Sequence, residues 1–310
     1  MKRRTLALAA TLTAALALTG CGSDKPPTGE APKPTGGQFP ATVQGPDGSV
    51  TVPEQPTKIV SLSPTATEML FAVDAGKQVT AVDELSNFPQ NAPRTKLSGF
   101  KPNADAIAGY DPDLVVLSYD ANDVVASLRK LKIPVYLAPA ATTVDDSYQQ
   151  LKNLGTLTGH TDAATDVVER MTSDIEKLTR DLPKRTAPLT YYYELDPQLH
   201  SVASKTFIGS VLALAGLQNI ADKADKDGTG YPKLSAEYVV DSDPDLIFLA
   251  DTKCCGQSAE TVVKRPGWDK LSAVRGKQIH PLDDDIASRW GPRVVELLRI
   301  AVDAAAGAKP

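Results

Sequence analysis

Cysteine is nearly absent: Cys21, Cys254 and Cys255 are the only three in 310 residues. No C-x-x-C pair occurs, and two adjacent thiols cannot by themselves complete a zinc site, which argues against a structural zinc fold or a dithiol redox motif. Histidine is as scarce. His160, His200 and His280 are scattered along the chain, and none belongs to an H-E-x-x-H, Ser-His-Asp, G-x-S-x-G or phosphate-loop pattern. Aromatic residues reach only 5%, few for a glycosidase, which needs platforms for sugar rings. Basic residues are outnumbered, 33 Lys and Arg against 38 Asp and Glu for a net charge of −5, so the footprint of a duplex-binding protein is missing. Beyond the N-terminus no stretch approaches eighteen apolar residues, the least a membrane-crossing helix needs. What remains is a globular composition, 42% hydrophobic and 23% charged, long enough for two lobes of ordinary size.

The N-terminus is an address. Lys2, Arg3 and Arg4 precede an Ala/Leu/Thr stretch from Leu6 to Leu18, too short to span a bilayer but right for the apolar core of a signal peptide. Leu18-Thr19-Gly20-Cys21 has the form of a lipobox, so residues 1–20 are expected to be removed and Cys21 to carry lipid. Residues 22–37 are rich in Pro, Gly, Thr, Lys and Ser and read as a tether, the whole lead-in running from 21 to 55. An exported chain meets oxidising conditions. Cys254 and Cys255 would then close on each other as a disulfide, or remain two reduced thiols in a loop.

From Lys58 onward, short apolar runs alternate with helical patterns, the grammar of a parallel sheet wrapped by helices. Strands are expected at 58–62, 79–82, 114–117 and 135–137. A helix is expected over 65–75, with Thr65 as N-cap and Glu68 closing a capping box. The second half repeats the pattern: Asn103-Ala-Asp105 before Asp111-Pro-Asp113-Leu114, and Ser235-Ala-Glu237 before Asp243-Pro-Asp245-Leu246. Ala75-Gly76-Lys77-Gln78 and Ala215-Gly216-Leu217-Gln218 form a second matched pair at a different offset. Between the halves, Ala164, Val167, Val168, Met171, Ile175 and Leu178 recur at helical spacing before Pro183; roughly 20 residues of helix span about 30 Å. The expected fold is therefore α/β: a lobe over 56–158, one long connecting helix over 159–183 and a second lobe over 184–310. A single stiff connection implies little hinge opening, and a ligand would lie between the lobes at the carboxyl ends of the strands.

The lipobox, the run K-I-V-S-L-S-P-x-x-T-E from Lys58 to Glu68, the two D-P-D-L units and the single helix together resemble the solute-binding lipoproteins of importers for cobalamin, haem and ferric siderophores, the cobalamin-binding branch most nearly. The resemblance runs from about Pro56 to Val302. It implies two Rossmann-like lobes of the class III periplasmic-binding-protein type. It also implies capture of a large metal chelate, carried as cargo and not as a cofactor, and delivery to a permease dimer with its ATPase. The protein would be a monomer, held to the membrane through Cys21, with no nucleic-acid partner, no metal site of its own and no catalytic residues. In that family one acidic residue per lobe docks on permease arginines, and the matching positions are Asp105 and Glu237. Asn103 and Ser235 are also good N-caps, and acids near a helix start are favoured by the dipole, so a purely local role stays open.

Family positions for ligand contact match Phe100, Tyr231, Asp285 and Arg289. Ser63, Pro64, Thr65, Phe88, Tyr119, Lys205, Lys253, Cys254, Cys255 and Trp290 are expected to flank them. Aromatics supply contact area at small entropic cost, and Arg289 could meet an anionic chelate; alternatively Arg289 only satisfies Asp284 or Asp285. The cobalamin-binding branch carries tryptophans where this chain has Phe100, Tyr231 and Ile286. The cations on these loops, Arg289, Lys205, Lys253 and Lys101, are few for a highly anionic tris-catecholate. Two other classes compete: a transition-metal-ion receptor of the same plan, for which His200 and Asp285 would have to meet, and an extracellular hydrolase using Glu194 and Asp196, two acids whose simplest reading is a solvated loop.

Overall fold

Runs such as Leu-Val-Val-Leu and Leu-Ile-Phe-Leu carry no polar residue on either face, so they are stable only where helices cover both sides of a parallel sheet. The structure, a computed structural model, describes residues 37–308. The expected signal segment, Cys21 and the expected tether up to residue 36 lie outside the described residues. The chain opens with an antiparallel hairpin, β1 (Ala41–Gly45) and β2 (Gly48–Val52), in a segment for which the sequence suggests no element. Then follow β3 (Ile59–Leu62), α1 (Pro64–Ala72), β4 (Val79–Val82), α2 (Ala104–Ala108), β5 (Leu114–Leu117), α3 (Val124–Lys130), β6 (Val135–Leu137) and α4 (Val144–Thr158). The long helix α5 (Thr161–Arg180) leads to β7 (Thr190–Glu194), α6 (Phe207–Leu214), β8 (Gln218–Asn219), α7 (Ala236–Ser242), β9 (Leu246–Leu249), α8 (Thr252–Cys255) and α9 (Ala259–Val263). The chain closes with α10 (Ser272–Arg275), β10 (Ile279–Pro281), α11 (Asp284–Ala287) and α12 (Val294–Gly307).

The two halves share one topology. Their parallel sheets run β4-β3-β5-β6 and β8-β7-β9-β10, the same order with the same crossovers. The D-P-D-L repeat explains itself here. Asp113 accepts from the Thr57 amide at 2.7 Å, the Thr57 hydroxyl at 2.9 Å and the Lys58 amide at 3.0 Å, locking β5 beside the start of β3. Asp245 accepts from the Thr190 amide at 2.7 Å and its hydroxyl at 2.9 Å, locking β9 beside β7. The first aspartate of each unit adopts positive φ, 50° at Asp111 and 40° at Asp243, a conformation short polar side chains tolerate better than most. The Ala-Gly pair is a weaker match. Gly216 turns its chain at φ +73°, whereas in the first lobe Asp74 takes the left-handed position and Gly76 serves because a Cβ there would meet the Phe71 ring at 2.5 Å.

The connecting helix is not a strut through solvent. Its apolar stripe of Ala164, Val167, Val168 and Met171 is buried, and each large side chain so buried contributes roughly 1.5–3 kcal/mol. It lies against α4 and α12, and Gly155 of α4 lets the next helix approach so closely that a Cβ would sit 2.4 Å from that of Ala164. One core thus runs from the hairpin through α1, α4, α5 and α12 to α6 and one face of the second sheet. Each sheet's other face packs its own smaller cluster, around Leu117 and Leu128 in the first lobe and around Ile247 and Trp268 in the second. The halves are thus joined by a common core as well as by the single helix.

Candidate ligand-binding cleft

The run from Ile59 to Glu68 places nearly every polar side chain in a structural task. Ser63, in extended conformation, caps α1 by accepting from the Ala66 amide at 3.3 Å, with Pro64 at the first helical position, where its missing N–H costs nothing. The N-cap is therefore Ser63 and not Thr65, the helix ends at Ala72, and Glu68 closes no capping box. The Thr67 hydroxyl joins those of Ser61 and Ser86, both at 2.9 Å, and Ser86 donates to Asp83 at 2.7 Å. Burial pushes the Asp83 carboxyl up, against the hydrogen bonds from Ser86 and Leu85.

Glu68 points away from its own helix start. Its carboxylate, 2% exposed, receives Arg289 at 2.6 Å and both Arg293 Nε at 2.9 Å and Nη2 at 2.5 Å. Arg289 donates further to Asp285 and Asn87, at 2.7 and 2.8 Å, and to the Leu85 carbonyl at 3.3 Å. Asn87 closes the ring by donating to Asp285 at 3.0 Å, and the Trp290 indole donates to Gln150 of α4 at 2.8 Å. The segment 285–293, which follows the last strand of the second lobe, is thereby stapled to the first lobe at Glu68, Leu85, Asn87 and Gln150. Neither D-P-D-L nor strand grammar signals this tie; its one trace in the sequence is an acid inside an otherwise apolar helical run.

A cavity of about 420 Å³ opens beside this tie. Its walls are the carboxyl ends of the first sheet's strands, with Ser63, Pro64 and Thr65 after β3, Asp83 after β4 and Tyr119 after β5, together with Phe100, Asp285, Arg289 and Trp290. Phe100 and Tyr119 are 71% and 61% exposed. Glu84, Leu85, Asn87, Gly99, Ser118 and Ser288 also line it. Of these, Glu84, Leu85 and Asn87 escape sequence reasoning because they sit on a turn whose place is set by the Asp83 and Arg289 contacts.

Six of the residues expected at the site lie elsewhere than on this cavity wall. Phe88 covers the Arg293 guanidinium, 4.2 Å from its ring centre, and lines a separate hollow with Phe71 and Pro89. Lys205 pairs with Asp225 at 2.9 Å. Tyr231 is half exposed in the second lobe, and burial raises its phenol. Lys253 bridges Asp283 at 2.7 Å and Asp285 at 3.0 Å, which raises its ammonium. Cys254 and Cys255 are joined as a disulfide on the exposed helix α8. Asp284 does not meet Arg289; it accepts the amides of Thr252, Lys253 and Cys254 and so anchors α8. Ile286 packs partly buried against the shared core.

Asp105 and Glu237 occupy the same place in the two lobes. Both are exposed in the first turn of a short helix, after Asn103 and Ser235, which cap by accepting from Ala106 and Tyr238 at 2.9 and 3.1 Å. The Glu237 carboxyl is held below its usual range by its own amide and the Ser235 hydroxyl. The histidines do not converge. His200 bonds Asp196 at 2.7 Å, while Asp285 is engaged by Lys253, Asn87 and Arg289. Burial beside Phe248 lowers His280. Among the described residues, no group of three or more His, Cys, Asp or Glu is placed to hold a metal ion. Glu194 is not a solvated loop acid: it ends β7 fully buried, gripped by Arg265 at 2.5 and 2.6 Å.

Two like lobes on a common core, with an aromatic-edged cleft at the strand ends and a charged tie between them, define a two-lobed ligand-binding protein. A family model described as periplasmic binding protein matches residues 59–286, and the chain belongs to that family. It is 28% identical over 307 residues to an uncharacterized ABC transporter substrate-binding lipoprotein, YvrC, of Bacillus subtilis (strain 168), covering 96% of this chain and 95% of that one. It is 32% identical over 253 residues to a cobalamin-binding protein of Halobacterium salinarum, covering 78% of this chain and 66% of that one. Among solved structures, a possible iron-binding (periplasmic solute-binding) protein of Staphylococcus epidermidis superposes with a TM-score of 0.70 at 25% identity, over 81% of this chain and 99% of that one.

Proposed function

We propose that the protein is the extracytoplasmic substrate-binding lipoprotein of an ABC importer, anchored through Cys21, which captures a weakly charged metal chelate of the corrinoid kind and hands it to a permease dimer with its ATPase. The observation that carries the ligand class is the charge of the cleft. Its lining includes Asp83, Glu84 and Asp285, and its single cation, Arg289, already serves Glu68 and Asp285. The neighbouring lysines, Lys253 and Lys205, are paired with Asp283, Asp285 and Asp225. An anionic chelate entering here would lose its hydration and meet a lining whose one cation is already committed, with only the exposed Lys101 beside Phe100, of these loop cations, outside an ion pair, which is costly. A macrocycle of low or positive charge loses little and gains aromatic contact from Phe100 and Tyr119. Ser63, Pro64, Thr65 and Trp290 complete the walls, while Tyr231, Lys205, Lys253 and the Cys254–Cys255 helix stand as outer contacts for a ligand larger than the cavity.

Asp105 and Glu237 offer one negative group per lobe to a two-fold partner, and such charges govern orientation and encounter rate more than affinity. Absorbance titration with cobinamide tests the site. The wild type should bind, and Phe100→Ala and Tyr119→Ala should each weaken binding by about tenfold, the loss of roughly 1.4 kcal/mol of aromatic contact. Unchanged affinity in both variants would place the ligand elsewhere.

A further inference from the structure

Behind α8, the second lobe buries a carboxyl with nothing to neutralise it. Asp251, at the end of β9 and directly before α8, is 0% exposed, and neither of its carboxylate oxygens has a donor among the described residues. Its neighbour across the sheet is a second buried carboxyl, Glu194, which pairs with Leu249 of β9 and whose carbonyl accepts the Ala250 amide, next to Asp251, at 2.9 Å. Two carboxylates cannot satisfy each other, because both only accept; a proton held between them turns the contact into a strong hydrogen bond. Arg265 neutralises one charge of the pair, and that one is taken: it grips both Glu194 oxygens and donates to Gln257 at 2.7 Å. The Tyr192 phenol donates to Glu194 at 3.1 Å, and Trp268 lies under the Arg265 guanidinium at 4.6 Å.

We propose that Asp251 and Glu194 share one proton, and that this proton fastens α8, with Lys253 and the Cys254–Cys255 disulfide, to the second lobe beside the cleft. The connection to the cleft is short. The Gln257 amide donates to the Asp251 carbonyl at 3.3 Å and Lys253 reaches the cleft residue Asp285 at 3.0 Å, so both ends of the 251–257 segment hang on this cluster and its neighbours. Loss of the proton leaves a second negative charge in a dry site served by one arginine. The segment can relieve that charge only by letting Asp251 out toward water, which loosens Lys253 from Asp285.

Burial first, and then the charge of Glu194, push the Asp251 carboxyl up to about 7. A carboxyl raised in this way favours the folded segment below that pH, and the benefit, measured against a free Asp, is lost as pH climbs from the ordinary value of 3.8 through about 7. The other titratable groups on the surrounding elements do not supply this switch. Tyr192 and Tyr193 are pushed upward by burial and Arg265 stays charged. Asp284 is held low by the α8 amides, against its burial, and Lys253 is raised by its acidic partners. Glu260 of α9, at the surface, is held low by Ser258, with Lys264 helping. His280 on β10 is lowered by burial and is the one group that could mimic the effect.

The test needs no ligand, so it stands or falls apart from the chelate reading. Hydrogen–deuterium exchange of residues 252–257, corrected for the intrinsic pH dependence of exchange, is followed from pH 5.5 to 8.5 in the wild type, Asp251→Asn and His280→Gln. Protection should fall about tenfold per pH unit from pH 5.5 up to about 7 and level off above it in the wild type and in His280→Gln, one proton being released on opening across that window, and stay level in Asp251→Asn. Infrared difference spectra of the wild type alone should show a protonated-carboxyl band at pH 6 that is gone by pH 8.5. Flat wild-type protection, absence of that band, or a pH response removed by His280→Gln and kept by Asp251→Asn would each overturn the proposal.

Discussion

Replacing Glu68 with methionine gives the sharpest view of what holds the lobes in place. The carboxylate is 2% exposed and is the common acceptor of Arg289, 7% exposed, and Arg293, 18% exposed. Its removal leaves Arg289 with Asp285 as its one carboxylate, beside the neutral acceptors Asn87 and Leu85, and leaves Arg293 facing the Phe88 ring. Removing one partner of a buried ion pair costs about 3–5 kcal/mol, most of it the penalty of the abandoned charge. For a chain of this size that corresponds to a fall in melting temperature of roughly 6–20 °C. The contrast lies in the double variant. Glu68→Met with Arg289→Met removes the stranded guanidinium, so it should recover at least about 1 kcal/mol of what the single change loses. Thermal unfolding of both, with cobinamide titration in parallel, reads the effect, and affinity should drop with Glu68→Met because Asp285 and Trp290 lose their alignment. A single variant less than 1 kcal/mol below the wild type, or a double variant worse than the single, would show that the tie behaves like an exposed pair.

Other expectations follow from particular contacts. Reversing both Asp105→Lys and Glu237→Lys should abolish uptake in cells while calorimetry finds ligand affinity unchanged; uptake at the wild-type rate would remove the docking role. Asp113→Ala leaves the Thr57 and Lys58 amides without their acceptor, and should cost about 1–3 kcal/mol by denaturant titration, with Asp245→Ala similar because it does the same work in the other lobe. Burial works against the Asp113 charge, but the hydrogen bonds from Thr57 and Lys58 hold its carboxyl low. Its stabilising effect is therefore present above the ordinary value of 3.8 and lost as pH falls below it; acid titration of Asp113→Asn should be flatter than that of the wild type in this window. Gly155→Val would drive branched atoms into Ala164 and cost about 1–3 kcal/mol, read as a lower melting temperature.

The parts of the fold that repeat were legible in the sequence, because each repeat is a local rule with a local cause. Asp113 and Asp245 lock strand starts wherever Asp-Pro-Asp-Leu occurs, and uninterrupted runs such as Leu114–Leu117 can only be doubly covered strands. The strand-end positions Ser63, Pro64, Thr65 and Tyr119 follow from that grammar as well. What was not legible rests on meetings across long stretches of chain. Glu68 reaches Arg289 over 221 residues, and nothing near Glu68 says that its partner lies in the other lobe. The hairpin at 41–52 does alternate, with Ala41, Val43, Val50 and Val52 buried and Thr42 and Thr51 exposed, but it was hidden in a Pro- and Gly-rich lead-in far along the chain from α4, on which it packs. Glu194 was misread because its neighbour Asp196 is a loop acid, whereas its true partner, Arg265, lies 71 residues on. Lys205 and Lys253 are chemically apt for a ligand, but Asp225, Asp283 and Asp285 claim them first.

The most direct test of the cleft's chemistry is calorimetry on one preparation with chelates of different charge: cobinamide, cobalamin, haem and a ferric tris-catecholate. Corrinoids should bind at least a hundredfold more tightly than the trianionic chelate, a difference of about 2.7 kcal/mol. Preference for the tris-catecholate would contradict a cleft whose only cation is already paired.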